Sequence, residues 1–111
     1  MSKKNSFTPP DHRGFLVEML LSRNNGDITD CLLADIEPGG CGAEPPHTHE
    51  HDHLFVVVAG KVTINLGDRV VDVPENCAIH VPGKVVHSVW NHDTQPAKMG
   101  GVNLWNSNGE K

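Results

Sequence analysis

Apolar residues in this chain fall in short runs set off by turn residues, and no run repeats every 3.6 positions over the length of a helix. The clearest pattern is Lys61-Val62-Thr63-Ile64-Asn65-Leu66, where every second residue is apolar, the period of a half-buried strand. Gly67-Asp68 turns the chain into Arg69 to Val73, so these two segments are predicted to form a hairpin. Leu54 to Ala59 is a continuous apolar run stopped at Gly60, short enough for a core strand. Strands are also predicted over Gly14 to Leu21 and Ile28 to Ile36, separated by the turn signal Asn24-Asn25-Gly26-Asp27. Glu37-Pro38-Gly39-Gly40 is expected to close the second of them. Cys77 to Val81, Val85 to Asn91 and Met99 to Trp105 complete the set. About eight to ten short strands with regular turns describe an all-β domain, a sandwich or a closed barrel. The expected layout is a flexible N-terminal arm over residues 1–12, a single barrel domain over 13–106 and a C-terminal tail over 107–111. Phe55, Val57, Val62, Ile64, Leu66 and Val89 are expected to line or close the barrel, with register deciding which of them point inward.

Composition sharpens this picture. At 111 residues the chain suits one domain, and with three Phe, two Trp and no Tyr its core must be built mainly from Val, Leu and Ile. Nine basic against 14 acidic residues give a formal net charge of −5 with no basic patch, which argues against a nucleic-acid partner. The longest apolar run, Leu54 to Ala59, is too short to cross a bilayer, and the start MSKKNSFTPP lacks the apolar stretch of a signal peptide. No membrane partner and a cytoplasmic location are therefore expected. Cys31, Cys41 and Cys77 are odd in number and lack CxxC spacing, so no disulfide framework is expected; Cys31 and Cys77 fit a core.

Candidate chemistry lies in the histidines, eight in all, four of them in the stretch HTHEHDH. His47 and His49 stand two residues apart, so an extended strand aims both rings the same way. All four cannot converge from one straight strand, whose ends would lie about 20 Å apart. A turn at Glu50-His51-Asp52 is predicted to fold the chain back, leaving His51 at the tip toward solvent and bringing His53 in, in phase with Phe55 and Val57. His87 shares the face of Val85 and Val89 on a third strand. Neutral imidazoles are good donors to iron, nickel, copper and zinc, and three or four of them leave coordination positions open for chemistry. The competing reading is a surface histidine loop that binds metal loosely; it leaves the inward phase of His53 and the placement of His87 without a purpose. His53 is either a direct ligand or a donor behind one. Glu44 and Glu50 are the nearest carboxylates, as general base or as solvated loop charges, and Cys41 either reaches the metal or is a passive thiol. His80 is a candidate for the mouth, whereas His12 and His92 read as ordinary surface residues. Trp90 alternates out of phase with His87 and is expected to face away from the cavity.

These residues resemble the cupins, whose two blocks have the forms G-x5-H-x-H-x3-4-E-x6-G and G-x5-P-x-G-x2-H-x3-N. This chain has His47-x-His49-x3-His53-x6-Gly60 and then Pro82-x-Lys84-x2-His87-x3-Asn91. The resemblance implies a double-stranded β-helix, or jelly-roll barrel, with His47, His49 and His87 as metal ligands and His53 standing where the family has Glu. A histidine there makes the donor set all-nitrogen, which weakens any preference for Mg²⁺ or Mn²⁺; four-histidine members exist in the family. Asn76 and Lys84 stand where the second block has glycines.

The function expected from this resemblance is that of a metal-dependent enzyme acting on a small oxygenated compound, foremost a non-haem iron dioxygenase. A lyase or isomerase on a keto or sugar acid, and a non-enzymatic metal- or ligand-binding module, are the alternatives. The expected cofactor is one divalent transition metal per chain (Fe, Ni, Zn, Cu or Mn, with Fe preferred), and a homodimer is expected from the way small cupins pair.

Overall fold

The computed structural model describes residues 6–21 and 26–104; at position 47 only the backbone is described. Trp105, expected to end the last strand, lies outside the described residues. Nine antiparallel strands are found among them: β1 (Ser6–Phe7), β2 (Arg13–Leu21), β3 (Ile28–His47), β4 (Asp52–Ala59), β5 (Lys61–Leu66), β6 (Arg69–Pro74), β7 (Ala78–Val81), β8 (His87–Trp90) and β9 (Ala97–Leu104). The strands pair in the order β6-β5-β8-β3-β9-β4-β7, with β2 also on β3 and β1 on β2. The result is an all-β, nearly closed antiparallel barrel of the jelly-roll type. Among the described residues no helix is long and apolar enough to cross a membrane.

One strand belongs to both walls. The first half of β3 pairs with β2 and β9, as in Asp35 opposite Leu16 and Lys98, whereas its second half pairs with β8 through Cys41–Trp90, Gly42–Val89 and His47–His87. The predicted stop after Ile36 is thus a corner. Gly39 takes a φ of +81°, and a Cβ on Gly40 would stand 2.2 Å from the carbonyl oxygen of Gly14. Only glycine allows that approach. The corner's main-chain groups are not left unpaired: Gly39 N–H donates to Asn91 O at 2.8 Å and Asn91 N–H to Gly40 O at 2.9 Å. Turn residues end a strand only when no partner takes up the backbone beyond them.

The residues expected to line or close the barrel, Phe55, Val57, Val62, Ile64, Leu66 and Val89, are all buried, joined by Ile36, Val81 and Met99 from the facing strands. The alternation seen in residues 61–66 places Val62, Ile64 and Leu66 inward. Cys77 corrects the expectation of a core thiol: it is exposed, because the turn before β7 holds it outside the barrel, and Cys31 is only half-buried. Asn76, just before it, takes a φ of 67° and Lys84 one of 70°, the left-handed conformation that glycine would adopt at no cost.

Asn91 closes the corner with its side chain as well. It is fully buried; Nδ2 donates to Ile36 O at 3.0 Å and Gln95 O at 2.9 Å, and Oδ1 accepts from Asp93 N–H at 3.0 Å. Truncating Asn91 to Ala removes three bonds at a fully buried position, one of them to the Ile36 carbonyl, so urea unfolding should show a loss of about 2–4 kcal/mol. Asn65→Ala, which loses one bond to Ser88 at a half-buried position, should cost under about 1 kcal/mol. Equal costs would remove Asn91 as the corner's fastener.

Candidate metal centre

Three histidines reach one wall of the barrel from three different segments. His53 sits on β4 on the same face as Phe55 and Val57, and all three are buried. His87 opens β8 and is buried beside Val89. His49 does not share a strand with His47, as the spacing had suggested: β3 ends at His47, and His49 follows in the connection to β4. Two latches hold that connection against the loop before β8. Lys84 N–H donates to His49 O at 2.7 Å. Asp52 accepts from Gly83 N–H at 2.7 Å with one oxygen and from His80 Nε2 at 2.8 Å with the other. Burial opposes ionisation of Asp52, but the bonds from His80 and Gly83 outweigh it and hold the carboxyl below its usual range.

Among the described residues, His49, His53 and His87 form the one group whose ligating atoms all lie within 4.8 Å of one another. Ring centres are 5.0 Å apart for His49–His53, 4.8 Å for His53–His87 and 5.7 Å for His49–His87. His47 pairs through its backbone with His87, which puts its Cα beside the cluster; its side chain lies outside the described residues.

Hydrogen bonds set which nitrogen each ring offers. His53 and Asp30 are both cross-strand neighbours of Asn103, on β4 and β3 respectively. Asn103 Nδ2 donates to Asp30 Oδ1, and a carboxylate only accepts, so the amide oxygen must face the other way. That oxygen accepts from His53 Nδ1 at 2.6 Å. The proton of neutral His53 is thereby placed on Nδ1 and its lone pair on Nε2. His87 Nδ1 donates to Val85 O at 2.9 Å, which leaves Nε2 as its lone-pair nitrogen too. Such outer partners fix ring orientation and tautomer in metal sites.

The donors fit a metal ion by a direct structural test. His53 Nε2 is buried and has no hydrogen-bond partner among the described residues. A buried polar atom left that way costs about 1–3 kcal/mol, a loss that a metal ion would offset. Burial, then the neighbouring His87, His51 and His49, push the His53 pKa down to about 3 against the opposing bond from Asn103. The ring therefore stays in the neutral form that metals bind. The three-histidine cluster is able to coordinate a divalent ion.

The cluster opens on a cavity of about 390 Å³. Two histidines not expected in the cavity wall are found there. His51 is not a solvent-facing tip: it is half-buried, lines the cavity, stacks on His49 at 5.0 Å and meets the edge of His53 at 4.9 Å. His12 is not an ordinary surface residue: it also lines the cavity, lying edge-on to Phe15 and so close over Gly42 that a Cβ there would stand 1.7 Å from its ring. Cys41, read as either reaching the metal or a passive thiol, is fully buried on β3, opposite Trp90. Burial raises its thiol pKa, so it is a passive thiol. His80, Glu44 and Glu50 are absent from the cavity wall. His80 pairs with Asp52, Glu44 with Arg13, and Glu50 stands 4.0 Å from Lys84. Trp90 faces away from the cavity, as expected, stacked on His92. Asn103 and Asp30 went unread in the sequence, although one signal was available. On β9, Asn103 has the parity of the buried Ala97, Met99 and Gly101, and a polar residue on an inward row marks a partner.

Residues 32–105 match the family described as cupin domain, and the chain belongs to that family. Over 76 residues it is 28% identical to mannose-1-phosphate guanylyltransferase of Salmonella muenchen; the match spans 68% of this chain but only 16% of that protein. Among solved structures, the polyketide cyclase RemF of Streptomyces resistomycificus superposes with a TM-score of 0.75 at 21% identity, over 94% of this chain and 77% of that one. A cupin-2 domain protein of Rhodospirillum rubrum gives 0.75 at 18% identity, over 96% and 70%. The putative glyoxylate-induced protein of Pseudomonas aeruginosa gives 0.78 at 14% identity, over 89% and 38%. At these identities the likeness is one of fold.

The depressed His53 value fixes a sign for acid stability. Between the ordinary value of 6.5 and about 3, the unfolded chain takes up a proton that the metal-free fold does not. The contribution of His53 is therefore complete above about pH 6.5 and is lost as the pH falls, by about 1.4 kcal/mol per unit. Urea unfolding of chelator-treated protein between about pH 7 and pH 4.5 should show this slope, and His53→Gln should flatten it by one proton's worth. An unchanged slope in the variant would refute the assignment.

Proposed function

We propose that this protein is a metal-dependent enzyme that acts on a small oxygen-bearing compound, foremost as a non-haem iron dioxygenase. His47, His49, His53 and His87 are the proposed ligands of one divalent transition metal per chain. The observation that carries this reading is the convergence of histidine donors from three segments on a cavity wall, with one lone pair buried and otherwise unmatched. Bound there, Fe²⁺ would supply O2 chemistry, and Zn²⁺ or Ni²⁺ would supply Lewis-acid polarisation of a carbonyl. The chain itself supplies the rest. Asn103 and Val85 hold two of the rings in one tautomer and orientation. Phe55, stacked on His53 at 5.1 Å, shields the donors from water on one side. The apolar walls keep the reacting end of a ligand dry.

A lyase or isomerase is the second reading, because a neutral, all-nitrogen donor set serves Zn²⁺ and Ni²⁺ as well as Fe²⁺. Elemental analysis of untagged protein, followed by oxygen-uptake assays of the Fe²⁺-loaded form, separates the two. Turnover should stop without O2, and turnover indifferent to O2 would remove the dioxygenase. In the same preparations His49→Ala should lower metal stoichiometry while the exposed His92→Ala leaves it intact. Full metal retention by both variants would sink the ligand assignment.

The proposed state in solution is a homodimer in a reducing cytoplasm. The outward faces of β2 and β4 expose Leu16, Leu20, Val56 and Val58, and Gly100 between them has no side chain to cover Val56. Its free cysteines suit a reducing compartment. Light scattering at working concentration should return twice the chain mass of 12.1 kDa; the mass of one chain would contradict the dimer.

A further inference from the structure

The register of the first long strand decides what fills an empty place in the cavity wall. Arg13 pairs with Cys41 across β2 and β3, and continuing that antiparallel register puts His12 beside Gly42. Gly42 itself lines the cavity and stands opposite the buried Val89, in the inward row next to that of His87 on β8. The His12 ring lies across the glycine: a Cβ at position 42 would stand 1.7 Å from its Cδ2 and 2.3 Å from its Nε2. Resting on the metal-centred reading above, we propose that His12 is a specificity-determining residue of this site. Its ring takes the place of the side chain missing from position 42 and limits how far a compound can extend from the histidine cluster.

The way the ring is held makes it a movable part of the wall. Pro9, Pro10, Asp11 and His12 belong to the connection between β1 and β2, outside any strand, and all four line the cavity. Pro10 and Asp11 are exposed, whereas Phe15, Val17, Phe55, Val89 and Met99 are buried, so the connection stands at the mouth. Asp11 takes a φ of 64°, which turns the chain there, and its carbonyl accepts from Glu44 N–H at 2.8 Å. His12 N–H donates to Pro9 O at 3.2 Å and Nδ1 donates to Pro10 O at 2.9 Å, two bonds that lie within the connection and travel with it. Against the barrel the ring rests on the main chain of Gly42 and edge-on to Phe15, with ring centres 4.7 Å apart. A half-buried ring seated this way is displaced at less cost than a side chain packed between two strands.

Distance gives the ring its selective effect. Along β8 the row of Val89 lies roughly 7 Å from the row of His87, at about 3.3 Å per residue. A compound anchored at the histidines therefore meets the His12 row only once it is longer than a single ring. The imidazole of His12 occupies that length, and a methyl in its place opens it. The φ of Gly42 lies outside the left-handed region, so what glycine provides here is room for the ring. Positions 12 and 42 are coupled in consequence. A methyl added at 42 expels the ring, whereas once the ring is gone the same methyl is accommodated.

The test uses probes that share one metal-binding nitrogen and grow by one ring at a time. Co²⁺-loaded protein is titrated with imidazole, 4-phenylimidazole and 4-(biphenyl-4-yl)imidazole, read by visible ligand-field absorption. Each affinity is expressed relative to that of imidazole, which cancels any change at the ion itself. His12→Ala should raise the relative affinity of the longest probe by about tenfold or more. His12→Phe keeps the bulk of the ring and should stay within about threefold of the unaltered protein. Gly42→Ala should raise the ratio as His12→Ala does, yet add nothing to it in the His12→Ala background. A ratio unmoved by His12→Ala, a His12→Phe that behaves like His12→Ala, or an equal gain from Gly42→Ala in both backgrounds would each overturn the proposal while leaving the metal centre standing. The two His12 variants decide alone if Gly42→Ala does not fold. Failure of Co²⁺ to bind the unaltered protein would remove the metal-centred reading, and this proposal with it.

Discussion

A nitrogen lone pair pointed into a dry interior is the constraint around which this barrel is arranged. His53 Nε2 lacks a hydrogen-bond partner among the described residues, and the ring keeps that direction because its other nitrogen is tied down. The tie runs sideways across three strands, from Asp30 on β3 through Asn103 on β9 to His53 on β4. Each link depends on the one before: the carboxylate orients the amide, and the amide sets the tautomer. A slip of one residue in either pairing would turn Asn103 to the other face of the sheet and release the ring. Strand register and metal-site chemistry are here the same property.

The backbone at His47 and the ring of His49 are positioned by devices of a different kind. β3 crosses from one wall to the other at the glycine corner, and its far end brings His47 opposite His87. The segment after it has no strand pairing of its own, so His49 depends on the Lys84 N–H bond and on the Asp52 latch to Gly83 and His80. His53 and His87 thus ride on rigid strands, and His49 on a stapled loop. Placement on strands gives precision; placement on a loop leaves the freedom to close on an ion or a ligand.

The parts legible in the sequence were those governed by local periodicity. The alternation through residues 61–66 gave β5 with its inward face, and the shared parity of His53, Phe55 and Val57 gave the direction of one donor. His87 was readable because it interrupts an apolar face. What escaped depended on partners distant in the chain. The Glu37–Gly40 stretch carries every mark of a strand end, yet it continues as a corner because Asn91, some fifty residues on, accepts from Gly39 N–H and donates to Gly40 O and Ile36 O. The Asn103 role needs neighbours 50 and 73 positions away. His12 seemed ordinary because the reason it can enter the cavity is a missing side chain at Gly42 on another strand. Cys77 was misjudged by residue type, since a thiol's affinity for the interior does not override a turn that holds it outside.

The substitution at position 53 ties these observations together. Where the family pattern has a carboxylate against the ion, this chain has an imidazole, and the carboxylate of Asp30 stands one amide and one ring further out. That distance matters. A carboxylate in direct contact would cancel part of an ion's charge, whereas one acting through Asn103 orients the ring and would leave the charge on an ion nearly whole. A centre of that kind would favour a negatively charged head on whatever binds it. Phe15, Val17, Leu32, Phe55, Val89 and Met99 line the same cavity, so the polar demand on a bound compound is concentrated at the histidine end.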